Sequence, residues 1–259
     1  MSGWTFNGTL ESAFNPFDED YLAEILQSIA IAWARMRHPK RNEIEDRITF
    51  RLAGRLANDP HFAELPYDVI PQYWLLGLNG ETLGRLDIRF KHRHSQRDYF
   101  AFESKRLHVT YPGGSCSTEY STYAGDEGMM AFIEGQYSEG LPAGGMLGYV
   151  MDGDTDRAWL GLGKRIEVRR IPLRLLETSK LAESSLAPVA AGGTKGTQLG
   201  ETEHDLGSHH LRLFHLLLPV RPQSPVLNGV SPRDCHIQQP LAVRAGRRSG
   251  SKLLHRHGR

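Results

Sequence analysis

The chain predicts an α/β fold, a mixed sheet flanked by helices, in the order helix, three strands, helix, strand. A leading helix precedes this unit and C-terminal additions follow it. Three observations predict it: helical spacing of apolar residues before residue 60, period-two alternation from residue 73, and an apolar run at 145–151. Residues 18–36 form an amphipathic helix, with acids in the first turn and Arg35 and Arg37 near its end, in agreement with the helix dipole. A second helix begins at Asn42, carries Ile44, Ile48, Leu52 and Leu56 as its stripe, and ends near Asn58-Asp59-Pro60. Strands at 73–78 and 82–90 flank Asn79-Gly80, a strong hairpin signal. A third strand spans about 98–110 and breaks at Pro112-Gly113-Gly114. Residues 122–138 read as a helix weakened by Gly125, Gly128 and Gly135, and Asp152-Gly153-Asp154 turns the chain out of the strand at 145–151. The stretch from 155 starts as a helix, limited by Pro172.

These boundaries divide the chain into an N-terminal helical extension (1–41), a core (42–181), a flexible Ala/Gly/Ser/Thr-rich loop (182–203), a returning C-terminal strand (204–220) and a basic, disordered tail (221–259). Of 259 residues 39% are hydrophobic and 24% charged, the balance of a globular protein. No apolar run approaches the roughly 20 residues that span a bilayer. Residues 1–6 lack a basic and apolar leader, and Cys116 and Cys235 are too few for a disulfide framework, so a cytoplasmic location without membrane contact is expected. The net charge of +1 hides an asymmetry. Residues 221–259 carry eight basic and one acidic residue, a net of +7, whereas residues 1–220 carry 23 and 29, a net of −6. Any nucleic-acid contact must therefore come from local patches or from the tail.

The chemistry concentrates on two strands. With Leu86, Ile88 and Phe90 on one face, Asp87 points to the other, and Phe100 and Phe102 likewise set Glu103 and Lys105 opposite to themselves. If Phe90 pairs with Phe100, Ile88 meets Phe102 and Asp87 meets Glu103. Like charges so placed are unfavourable unless something positive lies between them, and carboxylate oxygens suit Mg²⁺. An acid-x-Lys triplet is a weak signal alone: seven lysines and 30 acids yield about one by chance. The competing reading is a surface lattice in which Lys105 bridges Asp87 and Glu103 without metal. Glu45 on the preceding helix is a third acid, with a capping box from Asn42 as its plainer explanation and Glu43 as a rival helix acid. Gln136-Tyr137 reads as a helix-end polar pair. His209, His210 and His215 invite a metal reading, but His209 and His210 are successive strand positions that point oppositely and cannot easily bind one ion. Asp152, Asp154 and Asp156 lack the glycine and glutamate of a calcium loop. Basic residues cluster at 37–41, at 91–97 in the loop joining the two motif strands, where they are expected beside the site, and at 164–170.

Residues 42–151, with Asp87, Glu103-Ser104-Lys105 and the helix before the sheet, resemble the PD-(D/E)XK, or restriction-endonuclease-like, nuclease superfamily, although Leu86 stands where the name-giving proline would be. The resemblance implies a restriction-endonuclease-like core and a Mg²⁺-dependent endonuclease, with Mn²⁺ as a substitute. Asp87, Glu103 and Glu45 would hold the metal and Lys105 would complete the catalytic set. Double-stranded DNA is the implied partner, a homodimer the implied form for cutting two strands, and restriction or anti-phage defence the implied role. The alternative is a catalytically inactive nuclease-fold module that binds nucleic acid or a protein.

Overall fold

The computed structural model describes residues 19–76, 79–95, 99–137, 141–187 and 194–221, with side chains from Tyr21 onward. The tail expected at 221–259 lies outside the described residues except for Arg221. Helices α1 (Glu19–Arg35), α2 (Glu45–Ala57) and α3 (Pro60–Glu64) lead into strands β1 (Tyr67–Leu76), β2 (Thr82–His92) and β3 (Tyr99–Leu107). A short ladder, β4 (Val109–Thr110) with β5 (Cys116–Ser117), and two short helices, α4 (Tyr120–Tyr123) and α5 (Met129–Ile133), connect to β6 (Ala143–Val150). Helix α6 (Thr155–Val168) and strands β7 (Ala182–Glu183), β8 (Gln198–Asp205) and β9 (His210–Pro219) follow.

The main sheet has seven strands in the order β1-β2-β3-β6-β9-β8-β7. β3, β6 and β9 run parallel at its centre, and every other pairing is antiparallel. Parallel neighbours need crossovers, and these cover the sheet. One apolar cluster packs α1, α2 and α3 onto one face, and a second packs α4, α5 and α6 onto the other. β6 is buried throughout. Gly145 is required there, because a Cβ would come within 2.1 Å of the Phe102 ring on β3. The architecture is therefore α/β, a mixed sheet flanked by helices. No helix among the described residues is long and apolar enough to cross a membrane.

Several expectations change. α1 belongs to the core instead of forming an extension: Leu22, Ile25, Leu26, Ile29 and Trp33 are buried, Trp33 stacks on Tyr149 at 5.1 Å, and its indole N–H donates to Pro219 O at 2.8 Å. α2 starts at Glu45, its N-cap Ile44 offers no side-chain bond, and Ile44 is 54% exposed instead of completing the stripe. The segment expected to be a loop at 182–203 contributes β7 and most of β8, with 188–193 outside the described residues. β8 escapes an apolar pattern because its buried positions include Thr202 and His204.

Those polar groups form a chain whose donors have one consistent assignment. His204 Nδ1–H must donate to Leu173 O at 2.7 Å, so its Nε2 accepts from the Thr202 hydroxyl at 2.8 Å. Thr202 Oγ1 then accepts from His215 Nε2–H at 2.9 Å, and His215 Nδ1 accepts from Tyr123 OH at 3.0 Å. Every link needs neutral imidazoles. Burial accordingly lowers His204 to about 4 and His215 to about 3. Below the ordinary histidine value of about 6.5 the unfolded chain takes up protons that the folded chain refuses, so acid costs stability. The thermal midpoint measured in EDTA should fall as pH drops from 6.5 toward 4. Thr202→Val, which strips both rings of a partner while keeping the shape, should cost about 1–3 kcal/mol per ring in urea unfolding at pH 7.

Candidate active site

The register expected for the two motif strands is present, with Phe90 opposite Phe100 and Ile88 opposite Phe102. The antiparallel ladder ends there. On the other side of β2 the pairing with β1 passes from Pro71–Ile88 to Tyr73–Leu86, skipping Asp87, and the facing Gln72 has a φ of 53°. Asp87 therefore sits within β2 at a position without a ladder partner on either side. The expected alternation fails at the same point, since Leu86 packs in the second apolar cluster whereas Ile88 and Phe90 pack in the first.

Beyond Phe102 the amides of β3 that face β2 lack a strand partner, and carboxylates take the strand's place. Ser104 N–H donates to Asp87 Oδ2 at 2.8 Å and Arg106 N–H donates to Glu45 Oε2 at 2.7 Å. Alternate residues of a strand present their amides to the same edge, which explains the spacing of two. Ser104 also spends its hydroxyl proton on Asp87 Oδ2, at 2.5 Å. Thr49 Oγ1 must then donate to Ser104 Oγ at 2.9 Å, and Tyr149 OH to Thr49 at 3.0 Å. A buried hydroxyl chain from β6 through α2 thus fixes the Asp87 carboxylate.

Lys105 lies on β3 two residues after Glu103. Its Nζ donates to Glu103 Oε1 at 2.7 Å and to Glu45 Oε1 at 3.4 Å. The structure brings together all four residues singled out in the sequence, Asp87, Glu103, Lys105 and Glu45. It overturns one plainer explanation and moves the other from the surface to the interior. Glu45 forms no capping box with Asn42, because its oxygens serve β3; Glu43 meanwhile accepts from Lys40 N–H and pairs with Arg51. The lattice is not at the surface, because Asp87, Glu103 and Lys105 are each under 10% exposed.

Asp87, Glu103 and Glu45 lie around one ammonium, Lys105, which bonds two of them. Burial pushes Glu103 up to about 8, helped by the charges of Asp87 and Glu45 and opposed by Lys105. Burial also raises Glu45. Burial alone would lower Lys105, but Glu103, Glu45 and Asp87 outweigh it and hold the amine protonated well above neutral pH. Glu103 Oε2 is buried and has no hydrogen-bond partner. Among the described residues no three His, Cys, Asp or Glu side chains are arranged to hold a metal ion as they stand. The reason is visible: Glu45 spends both oxygens on Arg106 and Lys105, and Glu103 spends one on Lys105. Carboxylate oxygens are the donor type a hard divalent cation takes; Asp87 Oδ2 and Glu103 Oε1 are already bonded within the chain, and Glu103 Oε2 is left without a partner.

Sequence reasoning missed Ser104, Thr49 and Tyr149, whose roles depend on a contact between helix and sheet. Tyr137 was placed at a helix end, yet its phenol, pushed up to about 12 by burial first, also feels Glu103. Gln136 does cap a strand end, donating to Leu83 O at 2.8 Å. The basic loop at 91–97 was expected beside the site, but the paired strands run on to Lys91–Tyr99, four positions and roughly 13 Å beyond Asp87. Arg93 there is held by Asp68 and by carbonyls of Ala63 and Tyr67.

Removing the one ammonium should destabilise the fold. Lys105→Met is expected to cost about 3–5 kcal/mol by leaving buried carboxylates unpaired, less whatever Glu103 recovers by binding a proton. Adding Glu103→Gln should restore most of the loss, read as urea midpoints for the two variants.

No family model, curated protein or solved structure matches this chain, so the reading of the site rests on its own geometry.

Proposed function

We propose that the protein is a metal-dependent endonuclease that hydrolyses phosphodiester bonds in double-stranded DNA on a restriction-endonuclease-like core. The observation that carries this reading is the buried group of Asp87, Glu103 and Glu45 around Lys105, with one Glu103 oxygen unspent. Its placement supports the reading as well: the acids come from two adjacent strands and the preceding helix, and β3 then crosses over to a parallel β6.

Asp87 and Glu103 would hold Mg²⁺, or Mn²⁺ in its place. A bound divalent ion supplies an acidified water and neutralises charge that builds on a phosphate. The remaining work belongs to the chain. Ser104 keeps Asp87 in one orientation, and Arg106 N–H keeps Glu45 against β3. Lys105, bonded to Glu103 and Glu45 as the protein stands, would orient a water and stabilise a developing oxyanion. A cytoplasmic homodimer, with one such site per DNA strand, would suit a restriction or anti-phage role.

A second reading is a nuclease-fold module without catalysis, binding nucleic acid or a protein. The existing pairing of Lys105 with both Glu103 and Glu45 favours it, since that pairing already balances part of the acids' charge.

Plasmid cleavage separates the two. The wild type should nick or cut supercoiled DNA with Mg²⁺ or Mn²⁺ and not with EDTA. The Glu103→Gln/Lys105→Met pair, expected to fold, should lose cutting by at least a hundredfold. Mn²⁺ should raise the thermal midpoint of the wild type, and Asp87→Asn should abolish that rise; a saturating ion at 100 times its Kd is worth about 2.7 kcal/mol. A wild type that neither cuts nor shifts with metal leaves the binding module as the better description.

A further inference from the structure

We infer that a basic cleft at the α1–α2 turn is a separate phosphate-binding site, which grips the nucleic-acid backbone beside the acidic cluster. This rests on the proposed function only for the identity of the ligand. The cleft, about 540 Å³, is lined by Arg37, His38, Lys40, Ile44, Arg47 and Arg51, with Glu43 as its one acid. That acid is already engaged by Arg51 at 2.9 Å and by Lys40 N–H at 3.1 Å. The side chains of Arg37, Lys40 and Arg47 are exposed and form no ion pair among the described residues.

Two buried donors reinforce the charge. His38 Nδ1 accepts from Arg221 N–H at 3.2 Å, so its ring proton sits on Nε2, and that N–H has no partner. Burial lowers the His38 pKa, with Arg221 and Arg51 adding to it, so the ring donates as a neutral group. Arg51 Nε is buried and likewise unpartnered. Buried donors without acceptors are costly unless a ligand supplies oxygens, and phosphate oxygens are acceptors only.

The location argues for a polymer over a free anion. Ile44 lines the cleft and is 54% exposed, and the next residue, Glu45, reaches Lys105. A single turn of chain therefore presents cations on one side and the acidic cluster on the other. A strand seated in the cleft places neighbouring phosphates near Asp87 and Glu103, while Ile44 offers an apolar surface to sugar or base. Contacts of this kind position a substrate without reading its sequence.

The test is equilibrium binding of a labelled DNA duplex in EDTA, where cutting cannot contribute. The wild type should bind with strong salt dependence. Arg37→Gln/Lys40→Gln/Arg47→Gln should weaken binding about tenfold or more at low salt and make the salt slope shallower by about 2 to 3. Should that triple variant fail to fold, Arg47→Glu alone, at an exposed position, should weaken binding several-fold. Unlabelled duplex should compete and inorganic pyrophosphate should compete only weakly. Equal affinity and slope for wild type and cleft variants, no duplex binding by the wild type, or better competition by pyrophosphate than by duplex would each overturn the site. Intact binding through the cleft with no metal-dependent cutting would uphold it while removing the nuclease reading.

Discussion

The parting of β2 from β3 past the Ile88–Phe102 pair is the constraint on which the site depends. A strand that loses its neighbour inside a protein must find other acceptors for its amides, because an unpaired buried N–H is expensive. Asp87 and Glu45 provide them, and in doing so they are drawn toward Glu103 on the same strand. The carboxylates meet because the backbone needs them there. Their mutual repulsion is then met in part by Lys105, which bonds both Glu103 and Glu45.

Much of this was legible in the sequence and some of it was not. The hairpin and the register of Phe90 with Phe100 follow from alternation, which β2 and β3 obey up to Ile88, whereas Asp87 reaches β3 through its bonds to Ser104. Glu45 was identified as a helix acid, but its destination was not readable, because the pattern Asn42…Glu45 fits a cap as well as a tertiary contact. The gap in the ladder at Asp87 was hidden because its cause lies partly on β1, where Gln72 adopts a left-handed conformation that no local pattern demands. β8 was hidden for a different reason: Thr202 and His204 are buried through hydrogen bonds, and hydropathy reads such residues as exposed.

The same α2 residues carry two kinds of obligation. Ile48, Leu52 and Leu56 bind the helix to the sheet, while Thr49 passes a hydrogen bond from Tyr149 to Ser104. Packing and electrostatics are thus coupled along one helix. A change of volume under α2 would move Thr49 and Glu45 together and alter the acids without touching them. The charged cleft at the start of the helix shares that mounting, so the cleft and the acids are held by one helix.

The bond from the Trp33 indole to Pro219 O has a temporal consequence. Trp33 lies in the first helix and Pro219 closes the last described strand, and Trp33 also stacks on Tyr149, the origin of the hydroxyl relay that steadies Asp87. A ribosome-bound chain that has not yet extruded β9 lacks both that acceptor and the central strand beside β6. The acidic group therefore cannot reach its finished form until β9 has left the ribosome, so its assembly waits on a strand more than a hundred residues downstream of Asp87.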